Sequence, residues 1–164
     1  IETAAGHMAS LSEILGPLEL GPLRPAFVEG GRRWWLAELA QEAQLRAWTP
    51  DHAAIARLAQ QSDSLGLCVF ARSNDKNYQL AVRAFPAGVG IVEDPASGAA
   101  NGLIAAYIAQ AEPGGALSQG YLVSQGRELG RDAVIDIEIT SAGKVWVGGT
   151  TITIIDGSLF WPAV

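Results

Sequence analysis

Two adjacent carboxylates, Glu93 and Asp94, stand just before a run of small residues in this sequence. The surrounding segment, residues 83–101, reads RAFPAGVGIVEDPASGAAN and continues into alanines and large apolar residues that predict a buried helix. The first turn of a helix has backbone N–H groups without intrahelical partners and carries the positive end of the helix dipole. Small residues there let a ligand reach the backbone. The pattern is therefore typical of a carboxylate-binding site, with acidic side chains beside it that could carry a proton.

The same residues also fit a purely structural interpretation. Asp94 followed by Pro95 is an ordinary N-cap with proline at the first helical position, and Ser97 could cap a helix that begins one turn later. Glu93 could be a solvated neighbour, although one of two adjacent carboxylates near a buried helix can become a usable proton carrier. The residues by themselves leave both interpretations open.

Composition argues against several classes of function. The 17 acidic and 11 basic residues give a net charge of −6, and Lys and Arg do not cluster, so nucleic acid is not an expected partner. The longest uncharged apolar-rich stretch, residues 95–111, is shorter than the roughly 20 residues of a membrane span, so we expect no membrane partner. His7 and His52 have no second histidine or cysteine at ligand spacing, so no metal site is predicted.

The single cysteine and the N-terminal residues bear on compartment and boundaries. Cys68 lies in the apolar run at residues 65–71, cannot form an internal disulfide, and is expected to be a buried thiol in a cytoplasmic protein. The printed sequence opens with a small polar run, so no signal peptide is expected there. Residues 1–22 are interpreted as a linker or expression-derived leader, and residues 23–164 as one folded domain.

Several antiparallel strands are predicted to surround the helix. Residues 25–36 read as a hairpin around Gly30-Gly31, and residues 134–140 alternate strictly between apolar and polar side chains, as a half-buried strand does. A capped helix is expected from Thr49 to Ser62. The remaining predicted strands are at residues 65–71, 78–85, 145–147, 150–155 and 158–161, with an Asp156-Gly157 turn before the last. The class is α+β, without the parallel βαβ alternation of a doubly wound sheet.

A family resemblance adds to these arguments. Residues 85–100, FPAGVGIVEDPASGAA, resemble the EDPATGSA region of the PhzF-like family of phenazine biosynthesis. The resemblance continues in TPD at residues 49–51, QGRELGR at 125–131 and VGGT at 147–150. It implies a diaminopimelate epimerase-like fold, in which two similar lobes each wrap a curved antiparallel sheet around a central helix. The site lies in the cleft between the lobes, and this chain corresponds to the second, C-terminal lobe.

The resemblance also implies an activity and its residues. Family members are isomerases or epimerases that move a proton at carbon without a metal or other cofactor, on a small-molecule carboxylate. Asp94 matches the functional aspartate, which makes it the expected catalytic residue. The expected substrate-binding residues are Gly98, Ala99, Ala100, Glu93 and Ser97.

Three departures from the family pattern limit the match. Ala99 stands where the family commonly has a serine, and the Asn-x-Ser-Glu-Thr motif that carries the family's principal glutamate does not occur. Asp132 replaces a proline, which we expect to affect only a turn. Gln125, Gly126 and Arg131 are expected to fix strand geometry and surface contacts rather than to touch substrate.

Three hypotheses follow. The leading one is an isomerase whose site is completed by a second lobe, either another copy of this chain in a homodimer or a separate N-terminal-lobe chain. The alternative is a non-catalytic domain that binds small carboxylates or another protein and has lost the catalytic groups. The third is a fragment of a longer enzyme, whose exposed cleft face would make it associate.

Overall fold

One sheet of seven strands organises the protein, whose computed structural model describes residues 5–161. The strands lie in chain order across the sheet. They are β1 Ala26–Glu29, β2 Arg33–Leu39, β3 Gly66–Arg72, β4 Leu80–Phe85, β5 Gly120–Gln125, β6 Ala133–Ile139 and β7 Val145–Gly148. The helices are α1 Met8–Leu15, α2 Glu42–Ala47, α3 His52–Ser62 and α4 Gly98–Ala111, with 3-10 turns at Ala5–His7, Ala87–Val89 and Arg127–Leu129.

The sheet is mixed, so the expectation of a wholly antiparallel sheet is wrong, although the α+β class is confirmed. Four neighbouring pairs are antiparallel, whereas β2 pairs with β3 and β4 pairs with β5 in parallel. Parallel neighbours need a long crossover to bring the chain back to the starting end of the sheet. Helices α2 and α3 provide that crossover between β2 and β3, and α4 provides it between β4 and β5.

Both faces of the sheet carry a hydrophobic core. One core lies under α4 and includes Trp34 and Leu36 from β2. The other lies under α1, α2 and α3 and includes Trp35 and Ala37 from the same strand, because successive side chains point to opposite faces. The sheet curls so that both of its edge strands, β1 and β7, contact α4.

Helix α1 lies in the segment that we interpret from the sequence as a leader. Its Leu11 and Leu15 are buried in the second core, so packed residues occur well before Leu23. Those two side chains supply the only buried positions of an otherwise exposed or half-buried helix, which is enough to hold it against α3. The division at residues 22 and 23 stays a prediction.

Helix α4 is buried over most of its circumference but not all of it. Leu103, Ile104 and Ile108 face the core, whereas Ala99 and Ala106 are exposed. The helix can therefore lack charged residues without being enclosed on every side, because its exposed positions are small residues and one glutamine, Gln110.

The prediction for β6 is confirmed, because one face of this strand packs against the core. In β6, Ile135, Ile137 and Ile139 are buried and the residues between them are exposed, as predicted. The predicted strands at residues 150–155 and 158–161 are not formed, and residues 149–161 have no regular structure. A short hairpin without a core or sheet to pack against is marginal at best.

Two smaller predictions have clear outcomes. Helix α3 starts later than expected, since Asp51 rather than Thr49 caps it by accepting a hydrogen bond from the Ala54 N–H at 2.9 Å. Cys68 is buried as predicted, and burial raises the pKa of its thiol, as does the nearby negative charge of Asp94.

No helix among the described residues is long and apolar enough to cross a membrane. Within residues 5–161, no three His, Cys, Asp or Glu side chains come together as a metal-binding group.

The packing of α4 on the sheet predicts the effect of a core substitution. Replacing the fully buried Ile104 by alanine should lower the free energy of unfolding by about 2–5 kcal/mol, because it leaves a cavity between α4 and the sheet. Urea denaturation monitored by circular dichroism measures the change. Ala106→Ser, on the exposed stripe of the same helix, is the control and should change stability by less than about 0.5 kcal/mol. Equal effects of the two substitutions would contradict this packing.

Glu42 docks α2 against the sheet through polar contacts. Its carboxylate accepts hydrogen bonds from Ser73 Oγ at 2.5 Å, Tyr78 OH at 2.8 Å and Arg46 Nε at 3.1 Å. Burial raises the pKa of this carboxyl, but the three hydrogen bonds outweigh burial and hold the pKa below its ordinary value. A carboxylate with a lowered pKa stabilises the folded state above its unfolded-state pKa and loses that contribution as the pH falls through its folded-state pKa.

Glu42→Gln should therefore destabilise the protein at pH 7 by about 1–2 kcal/mol, because it removes the charge from three hydrogen bonds. The difference in the free energy of unfolding between the variant and the native protein should shrink as the pH falls below the ordinary glutamate pKa of 4.5. Urea denaturation at pH 7 and pH 3 measures both. The exposed Glu138→Gln is the control, and a difference for Glu42→Gln that stays constant with pH would exclude the assigned role.

Candidate active site at the start of helix α4

Asp94 is anchored beside β4 by the backbone. After β4 the chain makes a 3-10 turn and returns, so that the Asp94 N–H donates to the carbonyl oxygen of Ala84 at 2.9 Å. The Asp94 side chain accepts a hydrogen bond from the Ala96 N–H at 3.1 Å through Oδ1. Asp94 is half-buried, and it closes the turn before the helix rather than capping the helix itself.

Ser97 is the N-cap of α4. Its Oγ accepts a hydrogen bond from the Ala100 N–H at 3.3 Å, and its carbonyl accepts from the Asn101 N–H at 3.1 Å. The N–H groups of Gly98 and Ala99 have no hydrogen-bond partner among residues 5–161, and both residues are exposed. The first turn therefore presents two free donors.

The six predicted site residues thus have different surroundings. Gly98 and Ala99 are exposed and Asp94 is half-buried, whereas Ser97 is buried and uses its hydroxyl to cap the helix. Ala100 is fully buried and its N–H is occupied by that cap. Their roles toward a substrate stay predictions.

Glu93 is the sixth residue, and its carboxylate is already paired. Its two oxygens accept from Nε and Nη2 of Arg83, each at 2.9 Å, and the two side chains are only 5% and 6% exposed. Arg83 also donates to the carbonyl oxygens of Leu45 at 3.1 Å and Trp48 at 2.6 Å. The predicted contact between Glu93 and substrate would require this buried ion pair to open, and removing one partner of such a pair is costly.

Gln125, at the end of β5, joins the groups that shape the site. Its Nε2 donates to the Asp94 carbonyl oxygen at 2.7 Å. Its Oε1 accepts from the Ser97 N–H at 3.3 Å and from Asn101 Nδ2 at 2.7 Å. The side chain is completely buried. Sequence reasoning assigned Gln125 to strand geometry and so missed its contact with the Asp94 loop.

Gly126 allows the loop and the strand to approach. Its φ of 83° lies in the left-handed region, and an added Cβ would come within 2.4 Å of the Pro95 carbonyl oxygen. Only glycine fits a position with both constraints. A Gln-Gly pair at the end of a strand is the sequence signal that could have directed attention here.

Asp132 lies in the turn before β6, where its effect was expected. Its φ is 50°, a conformation that proline cannot adopt because its ring holds φ near −65°. The carboxylate of Asp132 accepts from Arg127 Nε at 3.0 Å, and this hydrogen bond lowers the pKa of Asp132. The turn therefore has a different backbone from a Gly-Arg-Pro turn.

Exposed apolar side chains stand in the chain segment that leads to Asp94. Val89, Ile91 and Val92 are 57%, 48% and 60% exposed. Val147 of β7 lies near the start of α4, since a Cβ added at Gly98 would be 4.0 Å from its Cγ1. A groove of about 530 Å³ is found elsewhere, on the outer face of β6 and β7, and is lined by Leu122, Val134, Asp136, Glu138, Trp146, Val147, Gly148, Gly149 and Thr150. We place the candidate chemistry at α4 rather than in this groove, because the free N–H groups and Asp94 are at α4.

Gln125 supports a prediction on local order. Gln125→Leu removes the hydrogen-bond partner of the Asp94 carbonyl and of the Ser97 N–H. The free energy of unfolding should therefore fall by about 1–3 kcal/mol for each group left buried without a partner. Hydrogen exchange of the amides in residues 94–101 should accelerate, while exchange in β2 and β3 changes less. Hydrogen-exchange mass spectrometry measures this pattern. Gln119→Leu, at an exposed position, is the control, and unchanged exchange in residues 94–101 would show that Gln125 does not hold the loop.

Solved structures share this fold. A protein described as a predicted epimerase from Pseudomonas aeruginosa has a TM-score of 0.63 and 25% identity, over 91% of this chain and 50% of its own. A PhzF-family phenazine biosynthesis protein from Bacillus anthracis has a TM-score of 0.62 and 17% identity, over 79% of this chain and 46% of its own.

Curated relatives agree with the structural matches. The Escherichia coli protein named uncharacterized isomerase YddE is 32% identical over 123 residues, which is 70% of this chain and 40% of YddE. Antisense-enhancing sequence 1 of Schizosaccharomyces pombe is 24% identical over 164 residues, 98% of this chain and 52% of that protein. The chain thus spans about half the length of these two relatives. It also matches the sequence profile of the phenazine biosynthesis-like (PhzC-PhzF) proteins over residues 2–157, and it therefore belongs to that family.

Proposed function

We propose that this chain is one lobe of a cofactor-independent isomerase or epimerase that transfers a proton at a carbon atom of a small carboxylic acid. The observation that carries the proposal is the pair of free, exposed N–H groups at Gly98 and Ala99, four and five residues after the accessible carboxylate of Asp94. Relatives named as isomerases support the reaction class.

The N–H groups would hold the substrate's carboxylate. Two free donors at the positive end of a 14-residue helix attract an anion, and no side-chain charge of α4 competes, since the helix contains none. The exposed apolar residues Val89, Ile91 and Val92 would help to exclude water once a second body covers them. Exclusion of water strengthens both the anion contact and the proton transfer.

Asp94 would move the proton. As a base, its carboxylate takes a proton from a substrate C–H, and the electron pair stays on the substrate, delocalised toward the neighbouring carbonyl or double bond. The proton then returns to carbon, either at another position, which is isomerisation, or through a second acid on the opposite face, which is epimerisation. Backbone N–H groups near the developing negative charge stabilise that intermediate. Glu93, paired with Arg83, would position Asp94 instead of exchanging protons itself.

A second body would complete the site. Residues 23–164 form the lobe in this proposal, and a second copy of the chain or a separate N-terminal-lobe chain supplies the opposite wall. The absence of the Asn-x-Ser-Glu-Thr motif means that the other acid must come from elsewhere, for example from Asp94 of a second copy. We place the protein in the cytoplasm on the basis of its single buried cysteine.

A binding function is the second candidate. Ala99 lacks the hydroxyl that the family commonly has at this position, and the family's principal glutamate motif is missing. A domain with these losses would keep the two N–H donors and bind small carboxylates or a partner without catalysis.

Deuterium incorporation from D2O tests the proposal. The purified protein should exchange a carbon-bound proton in one or more members of a panel of small amino, hydroxy and unsaturated carboxylic acids, followed by proton NMR. Asp94→Asn should reduce the exchange rate by about 10²-fold or more, because the amide cannot accept the proton. Asp136→Asn, an exposed acid on β6, is the control and should retain the full rate.

The same panel distinguishes the alternatives. Binding by isothermal calorimetry without deuterium incorporation would support the carboxylate-binding domain and contradict the isomerase. Neither binding nor exchange across the panel would reject both candidate functions of the α4 turn.

A further inference from the structure

Arg46 of α2 binds residues on both sides of the pair Gln125-Gly126. Its Nη2 donates a hydrogen bond to Ser124 Oγ at 2.9 Å, and its Nη1 donates to Glu128 Oε1 at 3.0 Å. Ser124 belongs to β5, and Glu128 belongs to the 3-10 turn that follows this strand. The Arg46 side chain is only 16% exposed. One guanidinium therefore fixes the end of β5 on both sides of the residues that contact the Asp94 loop.

Ser124 and Gln125 connect the two faces of the sheet at this place. Successive side chains of a strand point to opposite faces. Ser124 accordingly contacts Arg46 on the α2 side, whereas Gln125 contacts Asn101 on the α4 side. The parallel pairing of β4 with β5 ends at the Val82–Gln125 pair. Arg46 therefore holds β5 at the point where its pairing with β4 stops.

Helix α2 is also connected to the other side of Asp94. Arg83 donates to the carbonyl oxygens of two residues at the end of α2, at 3.1 and 2.6 Å. Its remaining nitrogens hold Glu93, the residue before Asp94. The second connection runs from Arg46 to Gln125, which donates to the Asp94 carbonyl. The short helix α2 thus supports the Asp94 loop from two directions.

The contacts of Arg46 require the shape of a guanidinium group. Its three nitrogens donate to three different acceptors, in Glu42, Ser124 and Glu128. Arginine presents these donors in fixed directions, whereas the ammonium group of lysine is a compact point charge. Burial lowers the pKa of Arg46, but its hydrogen bonds with Glu128 and Glu42 outweigh burial and raise the pKa above its ordinary value. Lysine would therefore keep the charge and lose the directed contacts.

We propose that Arg46 is a positioning residue for Asp94, acting through the end of β5 from the opposite face of the sheet. A carboxylate that takes a proton from carbon must be held to within about 0.5 Å of its working geometry. Arg46 meets this requirement by orienting Gln125. The inference rests on the proposed function for the role of Asp94, whereas the connection between Arg46 and the Asp94 loop is measurable without a substrate.

Amide hydrogen exchange followed by NMR tests this connection in the protein without any ligand. Arg46→Lys removes the directed contacts, and Ser124→Ala removes one of the three acceptors. Each should accelerate exchange of the Ser97 and Asn101 amides by about three- to tenfold, which is the effect of one hydrogen bond. Arg57→Lys, at an exposed position of α3, is the matched control and should change these rates by less than about twofold.

The Gln125→Leu background distinguishes positioning from general stabilisation. In this variant the Ser97 amide has already lost its acceptor, so adding Ser124→Ala should accelerate its exchange by less than about twofold. If Arg46 merely stabilised the fold, Ser124→Ala would accelerate exchange by the same factor with and without Gln125. Equal factors in the two backgrounds, or unchanged rates in both single variants, would overturn the proposal.

Deuterium incorporation provides the functional measurement. Displacement of Asp94 affects the chemical step, so kcat of Arg46→Lys should fall by about threefold or more, while KM changes by less than about twofold because the free N–H groups of α4 remain. Coupled amide exchange with an unchanged kcat would overturn the positioning role. A native protein that incorporates no deuterium contradicts the proposed function alone, because the amide measurements still decide whether Arg46 holds the Asp94 loop.

Discussion

The buried amide of Gln125 is the interaction on which the candidate site depends. It ties the carbonyl of Asp94, the N–H of Ser97 and the side chain of Asn101 to the end of β5. These groups belong to a loop and to the first turn of a helix, and the Ala84 contact of Asp94 and the Arg83–Glu93 ion pair also join this loop to the sheet. Because β4 and β5 are parallel neighbours, they end at the same edge of the sheet, so the crossover that leaves β4 begins beside the end of β5. The topology of the sheet thus brings Gln125 and Asp94 together.

The two adjacent carboxylates differ in their contacts, because only Glu93 is held in a buried ion pair. Glu93 is paired with Arg83, which also donates hydrogen bonds to carbonyl groups at the end of α2. The ion pair therefore joins the crossover between β2 and β3 to the loop that follows β4. A buried pair of this kind contributes little net stability but penalises any structure in which one partner is displaced. Asp94 makes a single short-range contact through its side chain and stays accessible. The arrangement leaves one carboxylate free for chemistry.

Two parts of the lobe expose large apolar side chains. They are the segment before Asp94, with Val89, Ile91 and Val92, and residues 150–161. Burial of these side chains would be favourable, because it removes apolar surface from water. The first turn of α4, with its free N–H groups, is likewise exposed within residues 5–161.

The sequence by itself determined the local features, because those depend on neighbours along the chain. The alternation of β6, the first hairpin, helix α3 and the small-residue start of α4 were all predictable from spacing and capping residues. The parallel strand pairs, the Arg83–Glu93 ion pair and the contact of Gln125 with Asp94 were not, since they join residues far apart or follow from the path of the crossovers. The predicted strands at residues 150–155 and 158–161 are not formed for the related reason that a strand needs a partner, and only the tertiary structure decides whether one is present.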